Sequence, residues 1–423
     1  MQLSLSLKSV GSKVIFALLC LLAGGVLEAW NLRLYAASRE SLGLTVLALQ
    51  RAMVLDPWNS DYAHLLGRSY LYGEQDFGLA RIAITRAVSL NPYSARYWLD
   101  LASIDQIAGD SSAQERDLQA AQAAEPTMPD VSWEIANFDL LRGDELSAFR
   151  NLATVEEYSP QLRKQAIQLS WRVKPDADVL LQYIPDSVDT LSVFLNVLCE
   201  QQKLPEAAKV WQTLVSLHQP LNPGSVQNYL STLLAYDHRQ IEQAQKVWND
   251  YLKTNPEVAE YVNPDNLVVN GGFEHDVLGG GFDWQYYKRS HVNVAQESAV
   301  FHSGSRSLSV SFDGSDIQDF GILQYVPVKP NTRYVLRAFV RADNILGSSG
   351  PRLSVVGPYG SGQRFYTGDD MLGSTVWSAQ GGSFTTGPDT HMVAVMLLRD
   401  PPFDPIKGSL WLDDVSITPE EHQ

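Results

Sequence analysis

The sequence has only two cysteines in 423 residues, Cys20 and Cys199. Cys20 sits in an apolar segment near the N-terminus where it could not meet Cys199, so a disulfide framework and a cysteine-ligated zinc site are both excluded. Basic residues are scarce: 32 Lys and Arg stand against 48 Asp and Glu, a formal net charge of −16. A nucleic-acid partner needs Lys and Arg clustered on one face; no cluster occurs, and no nucleic acid is expected. Motifs for chemistry are missing as well. The stretch "GPYGSG" at 357–362 lacks the Lys of a phosphate loop, and neither Gly-x-Ser-x-Gly nor His-Glu-x-x-His occurs. His64, His218 and His238 are scattered without partners at ligand spacing. No organic cofactor and no catalytic residue are expected; the chain reads as a binding protein. With 45% hydrophobic residues it is long enough for two or three domains.

One long apolar run is present. "VIFALLCLLAGGVL" at 14–27 follows Lys8 and Lys13 and, counted through Trp30, spans 17 residues. That is the short limit of about 17–25 residues for a membrane-spanning helix. A signal peptide cut near the "AGG" at 23–25 is the alternative, and would make the protein secreted. Trp30 suits a membrane interface, and "EAWNLRLYAASRE" continues the helical pattern without a break, so residues 1–30 are expected to be an uncleaved anchor. Lys8 and Lys13 then face the cytoplasm and the rest lies outside it, in the periplasm of a bacterial inner-membrane protein.

The next stretch repeats. "ALQRAMVLDP" at 48–57, "AITRAVSLNP" at 83–92 and "DLQAAQAAEP" at 117–126 are spaced by 35 and 34 residues, Pro160 follows Pro126 by 34, and Trp98 precedes Trp133 by 35. A fixed period near 34 marks paired helices stacked into a solenoid. Gly67, Ala87, Ala102 and Ala121 let helices approach, Tyr70, Trp98 and Trp133 fill the gaps, and each proline ends the second helix of its unit. The stretch "YAHLLGRSYLYGEQDFGLARIAITRAVSLNP" resembles tetratricopeptide repeats through Leu66, Gly67, Tyr70, Ala80, Ala87 and Pro92, with one extra residue between Gly67 and Ala80. Further on, "EAAKVWQTLV" and "EQAQKVWNDYL" match in type, which gives five or six helical pairs over residues 31–256. The resemblance implies a concave groove that holds a peptide or another envelope protein.

After a linker at 257–266 the composition changes. Ten of the 29 glycines lie in residues 1–262 and 19 in the remaining 161. Short alternating runs such as "RYVLRAFVRA", "RLSVVG", "HMVAVMLL" and "SLWLDDVSI" read as strands between turns, so residues 267–419 are expected to form a β-sandwich of jelly-roll type. The order "NLVVNGGFEHD", "FHSGSRSLSVSF", "QYVPVKPNTRYVLRAFVRA" and "LWLDDVSI" resembles carbohydrate-binding modules with the galactose-binding-like jelly roll. That resemblance implies a structural calcium held by Glu274, by Asp413 or Asp414, and by carbonyls near Gly272 and Ser303. Calcium takes about 6–8 oxygens, many from the backbone, so few carboxylates suffice. Successive strand side chains point to opposite faces, so only one of the two aspartates is expected at the site, with Asp413 favoured. The same divergence argues against a catalytic carboxylate pair.

The strand "RYVLRAFVRA" has two readings, a sugar site or an exposed face with ordinary charges. Tyr334, Leu336, Ala338 and Val340 form its core face, while Arg337, Phe339 and Arg341 place a ring among guanidinium groups on the other, suited to stacking and hydrogen-bonding a sugar. Trp284, Tyr286 and Tyr287 are further candidates, and Trp377 and Trp411 are expected inside the sandwich. The expectation is a membrane-anchored adaptor that holds an envelope protein on its helices and an exported or surface polysaccharide on its sandwich. A purely structural scaffold is the alternative.

Overall fold

A computed structural model describes residues 9–420 apart from 236, 238, 318 and 401–403. Lys8 and His238 therefore lie outside the described residues. The chain forms two compact units, residues 1–173 and 174–423.

The first unit is helical: α1 (Val10–Ser41), α2 (Val46–Leu55), α3 (Ser60–Arg68), α4 (Phe77–Leu90), α5 (Ala95–Ala108), α6 (Ser111–Ala124), α7 (Pro129–Arg142), α8 (Glu145–Tyr158) and α9 (Pro160–Val173). Helix α1 is one unbroken helix, long and apolar enough to cross a membrane. In the repeats, α3 packs on α4, α5 on α6 and α7 on α8. Each pair is turned by the same device. A left-handed residue ends the first helix and an aspartate caps the second: Gly109 (φ 75°) then Asp110, whose carboxylate accepts from Ala113 N at 2.9 Å, and Gly143 (φ 78°) then Asp144, which accepts from Ser147 N at 3.1 Å. Such a cap is worth about 1 kcal/mol, and glycine takes the positive φ without a Cβ clash. The first pair has Gln75 (φ 56°) at that turn and carries the extra residue, which is absorbed by a π-helical turn over Ser69–Glu74. Gly67 explains the close approach: a Cβ there would lie 2.3 Å from Ile84 Cγ1.

The second unit joins the last helices to the strands. Its helices are α10 (Ala177–Leu180), α11 (Val188–Glu200), α12 (Leu204–Ser216), α13 (Pro223–Leu233), α14 (Ile241–Thr254) and α15 (Pro256–Ala259). The strands are β1 (Gln285–Tyr286), β2 (Val292–Glu297), β3 (Ser307–Asp316), β4 (Ile322–Pro327), β5 (Arg333–Gly347), β6 (Arg352–Val356), β7 (Arg364–Thr367), β8 (Gly373–Thr385), β9 (Met392–Leu398) and β10 (Pro405–Pro419). They form two antiparallel five-stranded sheets, ordered β1-β4-β9-β6-β7 and β2-β3-β10-β5-β8. The inner faces supply the core, with Leu308, Val310, Leu336, Val355, Val395 and Leu410 fully buried. Each such side chain contributes about 1.5–3 kcal/mol on leaving water. As expected, Tyr334, Leu336, Ala338 and Val340 all face this core.

Helices α13 and α14 pack on the loop that leads into β1. Trp248 meets Phe282 edge-on at 6.1 Å, and the Gln227 amide donates to Leu278 O. The stretch 257–266, expected as a linker, is tied down: Asn270 N donates to Tyr261 O at 2.8 Å, and Asn266 bridges Val415 O and Ile417 N.

Candidate functional site

Strand alternation sorts the aromatic residues of the sandwich between its core and two outer faces. In β1, Tyr286 pairs with Ile322, which is 1% exposed and points inward, so Tyr286 packs against the core and its hydroxyl is buried without a hydrogen-bond partner among the described residues. Trp284, two residues earlier, is 0% exposed and donates its indole N–H to Asn270 O at 3.2 Å. The expectation that Trp284 and Tyr286 offer binding surface is thus corrected: both are packing residues. Tyr287, the third of that run, is exposed.

The face expected to bind sugar is the outside of the β2-β3-β10-β5-β8 sheet. Arg337 is exposed there, and Phe339 and Arg341 are half-buried. Phe339 is not an open platform. The His302 ring stacks on it with centroids 3.5 Å apart at 11°, and Trp377 meets His302 edge-on at 5.7 Å. Arg341 lies over the Trp411 ring at 5.5 Å, and Trp411 Nε1 donates to Glu297 Oε2 at 2.8 Å. Trp377 and Trp411, expected in the interior, are half-buried on this outer face, because Trp411 pairs directly with outward-facing Arg341.

His302 is held by the two aspartates of β10. Asp414 has φ 50° and lies in a bulge where the register with β5 shifts, so Asp413 and Asp414 turn to the same loop. The expectation that only one could reach the site assumed an unbroken strand. Asp413 Oδ2 accepts from His302 N at 2.8 Å and Ser303 N at 3.2 Å. Asp414 accepts from Ser303 Oγ at 2.8 Å and lies 2.6 Å from His302 Nδ1. Glu274 accepts from Ser305 N, Ser305 Oγ and Arg306 N. Burial pushes Asp413 up to about 6 against the pull of its N–H donors. Burial also opposes ionisation of Glu274, but the Ser305 and Arg306 donors outweigh it and hold that carboxyl below its usual range. Gly272 lies between these carboxylates: its Cβ position is 3.8 Å from Glu274 Cγ and 4.0 Å from Asp413 Oδ1. Gly272, Glu274, Ser303 and Asp413 are thus neighbours. Among the described residues no three acidic, His or Cys side chains group closely enough to hold a metal by side chains alone.

The outside of the other sheet was missed from sequence. Its register lines up Gln285, Leu323, Met396, Ser354 and Thr367 in one row across all five strands, and Tyr325, Ala394, Val356 and Arg364 in the next. Ala394 and Ser354 are small and sit beside Met396 and Val356 in the middle of the sheet, and the tyrosines lie on one side. The Tyr359 ring comes within 5.9 Å of Tyr325, and the Tyr287 hydroxyl donates to Gln285 Oε1 at 2.6 Å. Burial pushes the Tyr325 hydroxyl up to about 12, so it stays a neutral donor. A signal existed in "ILQYVP", whose alternation puts Leu323 and Tyr325 opposite the buried Ile322 and Val326.

In the first unit, a cleft of ≈ 710 Å³ is lined by Asp61, His64, Arg96, Tyr97, Trp133 and Glu134 among others. His64 is not without a partner: its Nε2 lies 2.6 Å from Asp100 Oδ2, 36 residues on, so the pairing crosses from one repeat to the next. Tyr72 also donates to Asp100, and Tyr97 donates to Asp61 at 2.6 Å.

Residues 265–398 match the family model described as a carbohydrate binding domain. The C-terminal sandwich is therefore a carbohydrate-binding domain by family, with the match ending before β10. Similar solved structures include the CBM22-1 xylan-binding domain of Paenibacillus barcinonensis Xyn10C, at 16% identity over 36% of this chain and 94% of that one, with TM-score 0.26. PilF of Pseudomonas aeruginosa aligns at 14% identity over 48% of this chain and 97% of its own, TM-score 0.23. MamA aligns at 15% over 56% and 97%, TM-score 0.24. At scores this low none of them bears on function. No curated protein sequence matches the chain.

Proposed function

We propose that this protein is a non-catalytic adaptor outside the cytoplasm, tethered by α1, which binds a polysaccharide on its sandwich and an envelope protein in the cleft of its first unit. The observation that carries the sugar half is the tyrosine-flanked row across the β1-β4-β9-β6-β7 sheet, within the residues that match the carbohydrate-binding family. Tyr325 and Tyr287 supply ring faces and hydroxyls, the combination that stacks a sugar and hydrogen-bonds its edge, and the buried Gln285 amide, donating to Gly281 O and accepting from the Tyr287 hydroxyl, holds Tyr287 in place. The polar lining of the first-unit cleft, with Asp61, Arg96 and Glu134 around Trp133, suits an extended peptide bearing both charge and an apolar anchor. Burial, and then Asp100, hold the Glu134 carboxyl above its usual range, so a cationic partner group would bind most tightly in its ionised form.

Calcium belongs to the same proposal. The oxygen donors gathered around Gly272 are of the hard type calcium takes, and Glu274 and Asp413 with carbonyls near Gly272 and Ser303 would hold it. It would supply charge compensation where carboxylates crowd; the N–H donors of residues 302–306 already bind the loop to both.

A glycan array probed with the full chain in detergent tests the reading. Binding of one saccharide class that Tyr325→Ala weakens about five- to thirtyfold, the loss of a 1–2 kcal/mol stacking contact, supports it. A chain that binds no saccharide while still capturing an envelope protein would be a scaffold instead.

A further inference from the structure

Resting on the sugar-binding reading above, the geometry points to a composite site in which the helical part of the second unit reads an acidic group on the saccharide. Between α13 and α14 the chain turns through Arg239, at φ 48°, and sends its guanidinium over the Tyr359 ring at 5.3 Å. Tyr359 is displayed by the glycine-flanked loop Gly357–Gly362, itself at φ 61°, a left-handed conformation costly for a tyrosine. That is the role of "GPYGSG": it has no phosphate-binding lysine, and it holds a ring against the tyrosine face. A cleft of ≈ 460 Å³ opens here, lined by Arg239, Tyr359, Ser361, Gln363, Asp389 and His391 among others. It is continuous with the sheet face, because Tyr359 is the ring that approaches Tyr325.

A guanidinium carries five N–H donors in one rigid plane, and a ring beneath it leaves those donors in that plane. Those donors can fork onto a carboxylate, which a lysine cannot match. Ser361 and Gln363 offer neutral hydrogen bonds to hydroxyls, and the Asp389 carboxylate can accept from them. A neutral saccharide would use Tyr325 and these groups but not the fork. The site thus fits a saccharide carrying a carboxylate, such as a uronic-acid residue, at the end of the face nearest α14. Arg239 is outside the sandwich and outside the matched carbohydrate-binding residues, so the selectivity comes from the helices.

The test uses the full chain in detergent, with uronic-acid oligosaccharides and their methyl esters as probes on an array that also carries neutral saccharides. The wild type should favour the acid over its ester by about tenfold, the scale of a charge-assisted fork. Arg239→Ala should remove that preference at unchanged Tm, Arg239→Lys should restore only part of it, and added salt should reduce it. Tyr325→Ala should weaken acid and ester alike and leave their ratio intact. An acid-to-ester ratio that Arg239→Ala leaves unchanged, or binding confined to neutral saccharides, overturns the inference while the sugar-binding reading stands. Binding of no saccharide, or no effect of Tyr325→Ala, overturns that reading and the inference with it.

Discussion

Asp283→Asn should stabilise the protein at pH 8. Asp283 is 0% exposed; one carboxylate oxygen accepts from Leu278 N at 2.7 Å, and the other has no hydrogen-bond partner among the described residues. Burial pushes its pKa up from 3.8 to about 7. A raised carboxyl pKa means that the folded state holds its proton more tightly than the unfolded state. The penalty is therefore absent below about pH 4, grows between pH 4 and 7, and is complete above 7. A shift of about three units corresponds to a ceiling of about 4 kcal/mol. Asparagine keeps the acceptor for Leu278 and removes the charge. At about 2–4 °C per kcal/mol for a unit of this size, the variant should melt up to about 8–16 °C higher at pH 8 and nearly level with wild type at pH 4. Differential scanning calorimetry of both proteins at the two pH values measures this. A lower Tm at pH 8, or an equal gain at both pH values, would show that ionised Asp283 carries no such penalty.

Three further outcomes are expected. Gly67→Ala should destabilise the first unit by about 1–3 kcal/mol through overpacking against Cγ1 of the fully buried Ile84, and in an Ile84→Ala background, where Cγ1 is gone, the same change should cost less; chemical denaturation of the single and double variants reads both. Phe339→Ala should speed proteolytic cleavage within residues 298–306, because His302 loses its stacking partner, and an unchanged cleavage rate would deny that packing role. If calcium joins Glu274 and Asp413, chelator should lower the Tm of the wild type, and Glu274→Ala should abolish that sensitivity; equal melting with and without chelator rejects the metal.

The helical period was legible because its punctuation is local: Pro57, Pro92, Pro126 and Pro160 each follow a helix end, and Ala87, Ala102 and Ala121 are fully buried as their register demands. The strand character of β5 was legible from its alternation. What failed was the sorting of residues that depends on a partner strand. Trp284 and Tyr286 lie in a segment too short to show alternation, and only pairing with Ile322 tells which way Tyr286 points. The bulge at Asp414 carries no mark in "LWLDDVSI", yet it turns both aspartates to one loop. His64 and Asp100 are a whole repeat apart, so their contact follows from stacking and not from local spacing. Tyr325 and Tyr359 are 34 residues apart in sequence and meet because β4 and the loop after β6 flank β9 in one sheet.

Sugar is expected to bind the Tyr325 face and not the Phe339 face. Isothermal titration of the full chain with the best saccharide from the array, for wild type, Tyr325→Ala and Phe339→Ala, compares the two directly. Tyr325→Ala should lose about five- to thirtyfold in affinity and Phe339→Ala should change it less than about twofold. Affinity lost in Phe339→Ala and kept in Tyr325→Ala would contradict it.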